Sequence, residues 1–115
     1  MEIKIESPHF TVSTHLNQYV TDKVSKLEHL DERLIRSDVY LKLDKSSTDD
    51  NKICEIKIIA PRKSIFASRR SITFEDAITQ SVHALEKQLR KRKSKWESNN
   101  EEIHIEDITP EEELE

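Results

Sequence analysis

The 115-residue sequence contains no glycine, one cysteine, three prolines and only 5% aromatic residues. The missing glycine excludes most. A phosphate-cradling P-loop, a dinucleotide-binding GxGxxG turn, an EF-hand loop, a GxSxG nucleophile elbow and a KH-type GxxG clamp all need backbone that glycine supplies cheaply. The lone cysteine, Cys54, cannot close an internal disulfide, which suits a reducing interior. No apolar run approaches the ~18 residues needed to cross a bilayer, so no membrane partner is expected. Met1-Glu2-Ile3-Lys4 lacks the cationic-then-apolar order of a signal peptide. This length suits one domain with a modest core.

Residues that carry chemistry are scattered. His9, His15, His29, His83 and His104 make no HxxxH or HExxH pair, and one cysteine builds no zinc site. Nothing in the spacing of Ser, His and Asp nominates a nucleophile with its base. Asp49-Asp50 and Glu101-Glu102 fall in a turn and a tail, where nothing would desolvate them. Cys54 reads as small apolar filling of a strand. The expectation is a non-enzyme with no cofactor, no metal and no small-molecule substrate.

Charge is the positive signal. The chain carries 19 basic and 23 acidic side chains, a net charge of −4. Nine of the acids (Glu97, Glu101, Glu102, Glu106, Asp107, Glu111, Glu112, Glu113, Glu115) lie from Glu97 onward, with no Lys or Arg among them. Taking those nine from 23 leaves 14 acids against all 19 bases in residues 1–96, a balance of +5. Two regions are therefore expected: a basic domain over 1–96 and an acidic, disordered tail over 97–115. The tail either solubilises the chain or lies in the path of an anionic ligand of the body. Asymmetry of this kind favours a polyanionic partner.

Hydrophobic periodicity predicts the order β-α-β-β-β-α. Ile3 and Ile5 alternate with polar residues, as in a half-buried strand. Ser13 can cap a helix carrying Leu16, Val20, Val24 and Leu27 through about Leu30. Val39, Leu41 and Leu43 mark a second strand, and Cys54, Ile56 and Ile58 a third. A turn over Ser46–Asn51 is built without glycine, and Pro61-Arg62-Lys63 forms the next, before a short strand with Ile65 and Ala67. Phe74, Ala77, Ile78, Val82, Leu85 and Leu89 then mark a long helix from about Thr73 to Trp96. One apolar stripe per helix and alternation in each strand predict an α+β two-layer sandwich: a four-stranded mixed sheet with two helices on one face.

On that second helix six bases occupy nine positions: Lys87, Arg90, Lys91, Arg92, Lys93 and Lys95. Lys87, Lys91 and Lys95 form an i, i+4, i+8 row off the apolar stripe, with Arg90 on the same outward half. Arg92 and Trp96 continue the line of the stripe, so the last two turns are expected to project past the sheet. Trp96 either stacks on a base or packs on its own body. On the first helix Lys23 and Lys26 share a flank with Tyr19. Side-by-side helices would join these flanks into one cationic surface. Arg62, Lys63, Arg69 and Arg70 add charge at the ends of the fourth strand. Cations at a helix C-terminus also complement its dipole, but six bases with hardly an acid among them, facing a second basic flank, favour phosphate binding by counterion release.

The stretches Val12–Glu28 (VSTHLNQYVTDKVSKLE) and Ala84–Lys93 (ALEKQLRKRK) resemble the two helices of the ribosome hibernation promoting factor / ribosome-associated inhibitor A family. The second is similar to that family's KLERQLxKxK signature, and Phe74–Ile78 occupies the place of its MYAAI segment. The resemblance covers about residues 1–96. It implies a non-catalytic, cytoplasmic stress or stationary-phase factor, monomeric off the ribosome. Such a factor occupies the mRNA/tRNA channel of the small ribosomal subunit, contacts rRNA and inhibits translation. Carried over, the rRNA-binding positions are Lys23, Lys26, Lys87, Lys91 and Lys95, with Lys93 also basic in the pattern and Arg90 and Arg92 as extra charge. Asn17 replaces a usual Arg, Glu75 a usual Tyr, and Pro61-Arg62-Lys63 a glycine-containing turn. At this length the further domain by which long members pair ribosomes is not expected. Two other readings are a general double-stranded-RNA module and a regulator that binds a protein partner. The first ordinarily begins with a helix and places its lysines at the start of the last helix. The second would use the open sheet face and tail.

Overall fold

The computed structural model describes residues 1–45 and 49–97, with side chains through Lys91. Part of the predicted Ser46–Asn51 turn, the tail beyond Glu97 and the side chains of Arg92, Lys93, Lys95 and Trp96 lie outside the described residues. The elements are β1 (Glu2–Glu6), α1 (Thr14–Ser25), a 3-10 turn (Lys26–His29), β2 (Arg36–Leu43), β3 (Lys52–Ala60), β4 (Lys63–Ser71) and α2 (Phe74–Glu97). The predicted order and the α+β class hold.

The sheet order is β1-β2-β3-β4. β1 pairs parallel to β2, with Ile5 opposite Val39, as a helical crossover requires. β2, β3 and β4 form antiparallel neighbours, with Val39 opposite Ile56 and Ile56 opposite Ala67. Alternation gives the sheet two unlike faces. Val39, Leu41, Cys54, Ile56, Ile58, Ile65 and Ala67 are buried on one, where Leu16, Val20, Val24 and Leu27 meet Ile78, Val82, Leu85 and Leu89. α2 packs across β3 and β4, and α1 lies beside it toward β1.

Local chemistry sets the boundaries. Ser13 Oγ accepts the Leu16 amide at 3.0 Å, satisfying one of the donors a helix start leaves free. Thr73 Oγ1 accepts the Asp76 amide at 3.1 Å at the start of α2. Phe10 stacks on Phe74 with centroids 4.9 Å apart, seating the approach to α1 on the first turn of α2. Two predicted boundaries shift. α1 ends at Ser25, and the chain continues to His29 as a 3-10 turn that still buries Leu27. β4 runs nine residues, because its ladder to β3 extends from Lys63 opposite Ala60 to Ser71 opposite Lys52. Between β3 and β4, Arg62 takes φ 75°, the left-handed conformation a glycine would ordinarily supply after Pro61.

Candidate nucleic-acid interface

Topology determines how the helices run. β4 is antiparallel to β3, which is antiparallel to β2, and β2 is parallel to β1. β1 and β4 therefore point the same way. Each is followed by a helix that packs back across the sheet, so α1 and α2 lie parallel. Two contacts fix their register. His15 Nε2 lies 3.9 Å from Glu75 Oε2, and one turn on, Tyr19 Oη lies 2.8 Å from Thr79 Oγ1. Continuing that register brings Lys23 level with His83, and Lys26 level with Glu86 and Lys87. The 3-10 turn that begins at Lys26 also contacts α2. Along this seam between the helices, Glu86 and Arg90 of α2 face the Lys26 end of α1, while Lys87 and Lys91 stand further round the helix.

The predicted residues through Lys91 can be located. Lys23 is half-buried, its Nζ 5.4 Å from the Tyr19 ring centroid, so the ring face holds the ammonium against the seam. Lys26 is exposed at the start of the 3-10 turn. Lys87 and Arg90 are exposed on α2, and Lys91 is half-buried. Arg92, Lys93 and Lys95 belong to the last turns of α2, their side chains outside the described residues. Among the described residues, Lys23, Lys26 and Arg90 form no ion pair with a carboxylate. Glu86, the acid of this stretch, sits 3.9 Å from His83. Thr79, which ties α2 to Tyr19, escaped sequence reading: a threonine on a helix flank has no signal until its neighbour is known.

The open sheet face is built differently. There Arg36 meets Asp38 at 3.0 Å, Lys42 meets Glu55 at 3.1 Å and Arg70 meets Asp44 at 2.9 Å. Arg70 also donates to the Asp50 carbonyl, so part of the charge foreseen at the end of β4 is internally engaged. Register places Lys4 and Lys57 on either side of Asp38. Charges there cancel within the sheet, whereas along the helices Lys23, Lys26 and Arg90 form no ion pair with a carboxylate among the described residues, Glu86 being the acid beside them. A polyanion gains most from the second arrangement, where each neutralised phosphate releases counterions. Elsewhere, no group of three or more His, Cys, Asp or Glu stands ready to hold a metal among the described residues. Cys54 is buried, and burial pushes its thiol up to about 12. No helix among the described residues is long and apolar enough to cross a membrane.

Comparison with known proteins bears on the same region. No curated protein matches the sequence significantly. Among solved structures, a ribosomal subunit interface protein from Coxiella burnetii superposes with a TM-score of 0.73 at 20% identity, covering 82% of this chain and 99% of that one. The N-terminal domain of Protein Y from Thermus thermophilus gives a TM-score of 0.69, also at 20% identity, covering 80% of this chain and 99% of that one. At such identity the likeness is one of fold. The family model described as sigma 54 modulation protein / S30EA ribosomal protein matches residues 3–97, from β1 through the last residue of α2. With its element order, sheet topology and paired helices all in place, the chain belongs to the sigma 54 modulation protein / S30EA ribosomal protein family.

Proposed function

We propose that this protein binds the ribosome, and that it does so by laying the seam between α1 and α2 against folded rRNA of the small subunit. Lys23, Lys26, Lys87, Arg90 and Lys91 supply the first contacts, and Arg92, Lys93 and Lys95 extend them along α2. Seated in the mRNA/tRNA channel, the bound chain excludes translation ligands by occupancy alone, so translation stops without a chemical step. This is the behaviour of a stress or stationary-phase hibernation factor acting in the cytoplasm as a monomer. Family membership and a neighbour described as a ribosomal subunit interface protein support ribosome binding. The observation that carries the choice of surface is the contrast between Lys23, Lys26 and Arg90, which form no ion pair with a carboxylate among the described residues, and the open sheet face, where Arg36, Lys42 and Arg70 each do.

The physical reason is pre-organisation. A rigid helix pair presents cations at fixed spacing, so little ordering entropy is lost on binding, and phosphate contacts set position without reading bases. Sedimentation through sucrose gradients tests this. The wild-type chain should co-migrate with small subunits at about 50 mM salt and dissociate as salt rises. Lys87→Glu/Lys91→Glu should weaken association at least about tenfold and flatten the salt dependence by roughly one unit of slope per lost contact. Binding unchanged by that double reversal rejects the surface. A complex that persists in high salt points instead to a protein partner.

A further inference from the structure

We propose that phosphate binding at the seam takes up protons on His15 and His83, so that affinity for RNA rises as pH falls. This rests on the reading of the seam as a phosphate-binding surface and adds its regulation. Position is the first argument. The line of α2 that faces α1 reads Glu75, Thr79, His83, Glu86 and Arg90 at helical spacing. The line that faces it reads His15, Tyr19 and Lys23 on α1, then Lys26 at the start of the 3-10 turn. Two acids therefore stand among the cations, and each has a histidine beside it. His15 Nε2 lies 3.9 Å from Glu75 Oε2, and His83 Nδ1 lies 3.9 Å from Glu86 Oε1. Both imidazoles are exposed, open to solvent protons and to a phosphate alike.

Charge is the second argument. Histidine is the side chain that ordinarily changes charge between about pH 5 and 8. With both rings neutral, the two lines set Lys23, Lys26 and Arg90 against Glu75 and Glu86, a balance of +1. With both rings charged the balance is +3, and each carboxylate is answered by an imidazolium. The groups facing His83 are Lys23 across the seam, Lys26 of the 3-10 turn, and Glu86 and Lys87 of its own helix. Those facing His15 are Glu75 across the seam and Tyr19 one turn along α1. A phosphate lodged between Lys23 and His83 favours the charged ring, which donates from both nitrogens and makes the stronger, charge-assisted bond. Binding and protonation then promote each other by the same factor, as linkage requires. Affinity climbs as pH falls through the histidine range and levels off once both rings are charged in the free chain.

The test compares the full chain with a full-length His15→Gln/His83→Gln variant. Fluorescence anisotropy with a labelled RNA duplex is read at about pH 8 and about pH 6, at one ionic strength. Each proton taken up beside a phosphate should gain about two- to fivefold, so the wild-type chain should bind about five- to twentyfold tighter at the lower pH. The variant should change by less than about twofold. Ring NMR of the wild-type chain supplies a second readout. Duplex should move the titration midpoints of His15 and His83 upward, with His9, whose Nδ1 accepts the Leu43 amide, as the internal reference. Equal pH responses in the two proteins overturn the proposal, as do midpoint shifts no larger than that of His9. Failure of the surface itself would look different: the wild-type chain would bind duplex at neither pH, and both readings would fall.

Discussion

The hydroxyl oxygens of Tyr19 and Thr79 lie 2.8 Å apart, and the same tyrosine ring carries the Lys23 ammonium on its face. One side chain thus joins the two helices and orients a cation of the seam. Tyr19→Phe removes only the hydrogen bond and should cost about 0.5–1 kcal/mol. Tyr19→Ala also removes the ring that packs against the core and faces Lys23, and should cost about 2 kcal/mol or more. Urea unfolding of both variants distinguishes these effects. Equal losses would mean the ring contributes nothing beyond its hydroxyl.

Charge reversal on the two faces of the molecule should have unequal effects. Lys57, exposed on the open side of β3, sits opposite Asp38 in the ladder. Lys57→Glu should leave small-subunit binding within about twofold, whereas Lys26→Glu should weaken it severalfold with little change in Tm, since exposed charges contribute little to stability. A Lys57→Glu variant as defective as Lys26→Glu would move the interface to the sheet.

At the β3–β4 turn, Arg62 holds φ at 75°. A side chain with a Cβ is strained there by roughly 1–2 kcal/mol, while glycine gives back about 0.4–1 kcal/mol through the freedom of the unfolded chain. Arg62→Gly should therefore stabilise by about 0.5–1 kcal/mol. A lower denaturation midpoint would show that the arginine side chain contributes more than its backbone costs.

Cys54 titrates from an ordinary value of 9.0 to about 12 because burial disfavours the thiolate, with Ser81 and Glu55 as lesser influences. An acid held protonated in the fold stabilises the fold below its unfolded pKa. Above about pH 9 the unfolded chain loses this proton and the folded chain keeps it, so stability falls as pH rises toward 12. Each unit within that window costs about 1.4 kcal/mol. The stability difference between wild type and Cys54→Ala should shrink between pH 8 and pH 10, and a thiol reagent should modify Cys54 at neutral pH only after unfolding. Rapid labelling of the native protein would contradict this burial.

Ser37 is fully buried in β2, and its hydroxyl lacks a hydrogen-bond partner among the described residues. Removing an unsatisfied buried hydroxyl should gain about 1 kcal/mol. Ser37→Ala should accordingly raise the urea midpoint.

Much of this architecture was legible from residue order. Ile56 and Ile58 announced the buried face of β3, and Ser13 announced the start of α1, because both signals are local. β4 is longer than its apolar alternation suggests: Ser64, Ser68, Arg69 and Arg70 carry no apolar signal, and it is the ladder to β3 that extends the strand to nine residues. The end of α1 is hidden from the apolar pattern for a related reason, since Leu27 keeps its buried place while the backbone tightens to a 3-10 turn. The cations of the seam were named from helical spacing. Their placement relative to each other depends on two helices running parallel, which follows from strand topology, and on Thr79, which no spacing rule singles out.

β4 stands at the outer edge of the sheet, nine residues long, with Phe66 43% exposed near its middle. Such an edge invites a second chain to add itself. Two copies pairing antiparallel about the Phe66–Ala67 midpoint would set Lys63 of each against Arg70 of the other, and a shift of one residue would oppose Lys63 to Arg69. Like charges facing each other across strands repel. The edge thus carries cations toward both ends, Lys63 at one and Arg69 and the Asp44-paired Arg70 at the other, and neutralising Lys63 and Arg69 together should make sheet-to-sheet aggregation easier.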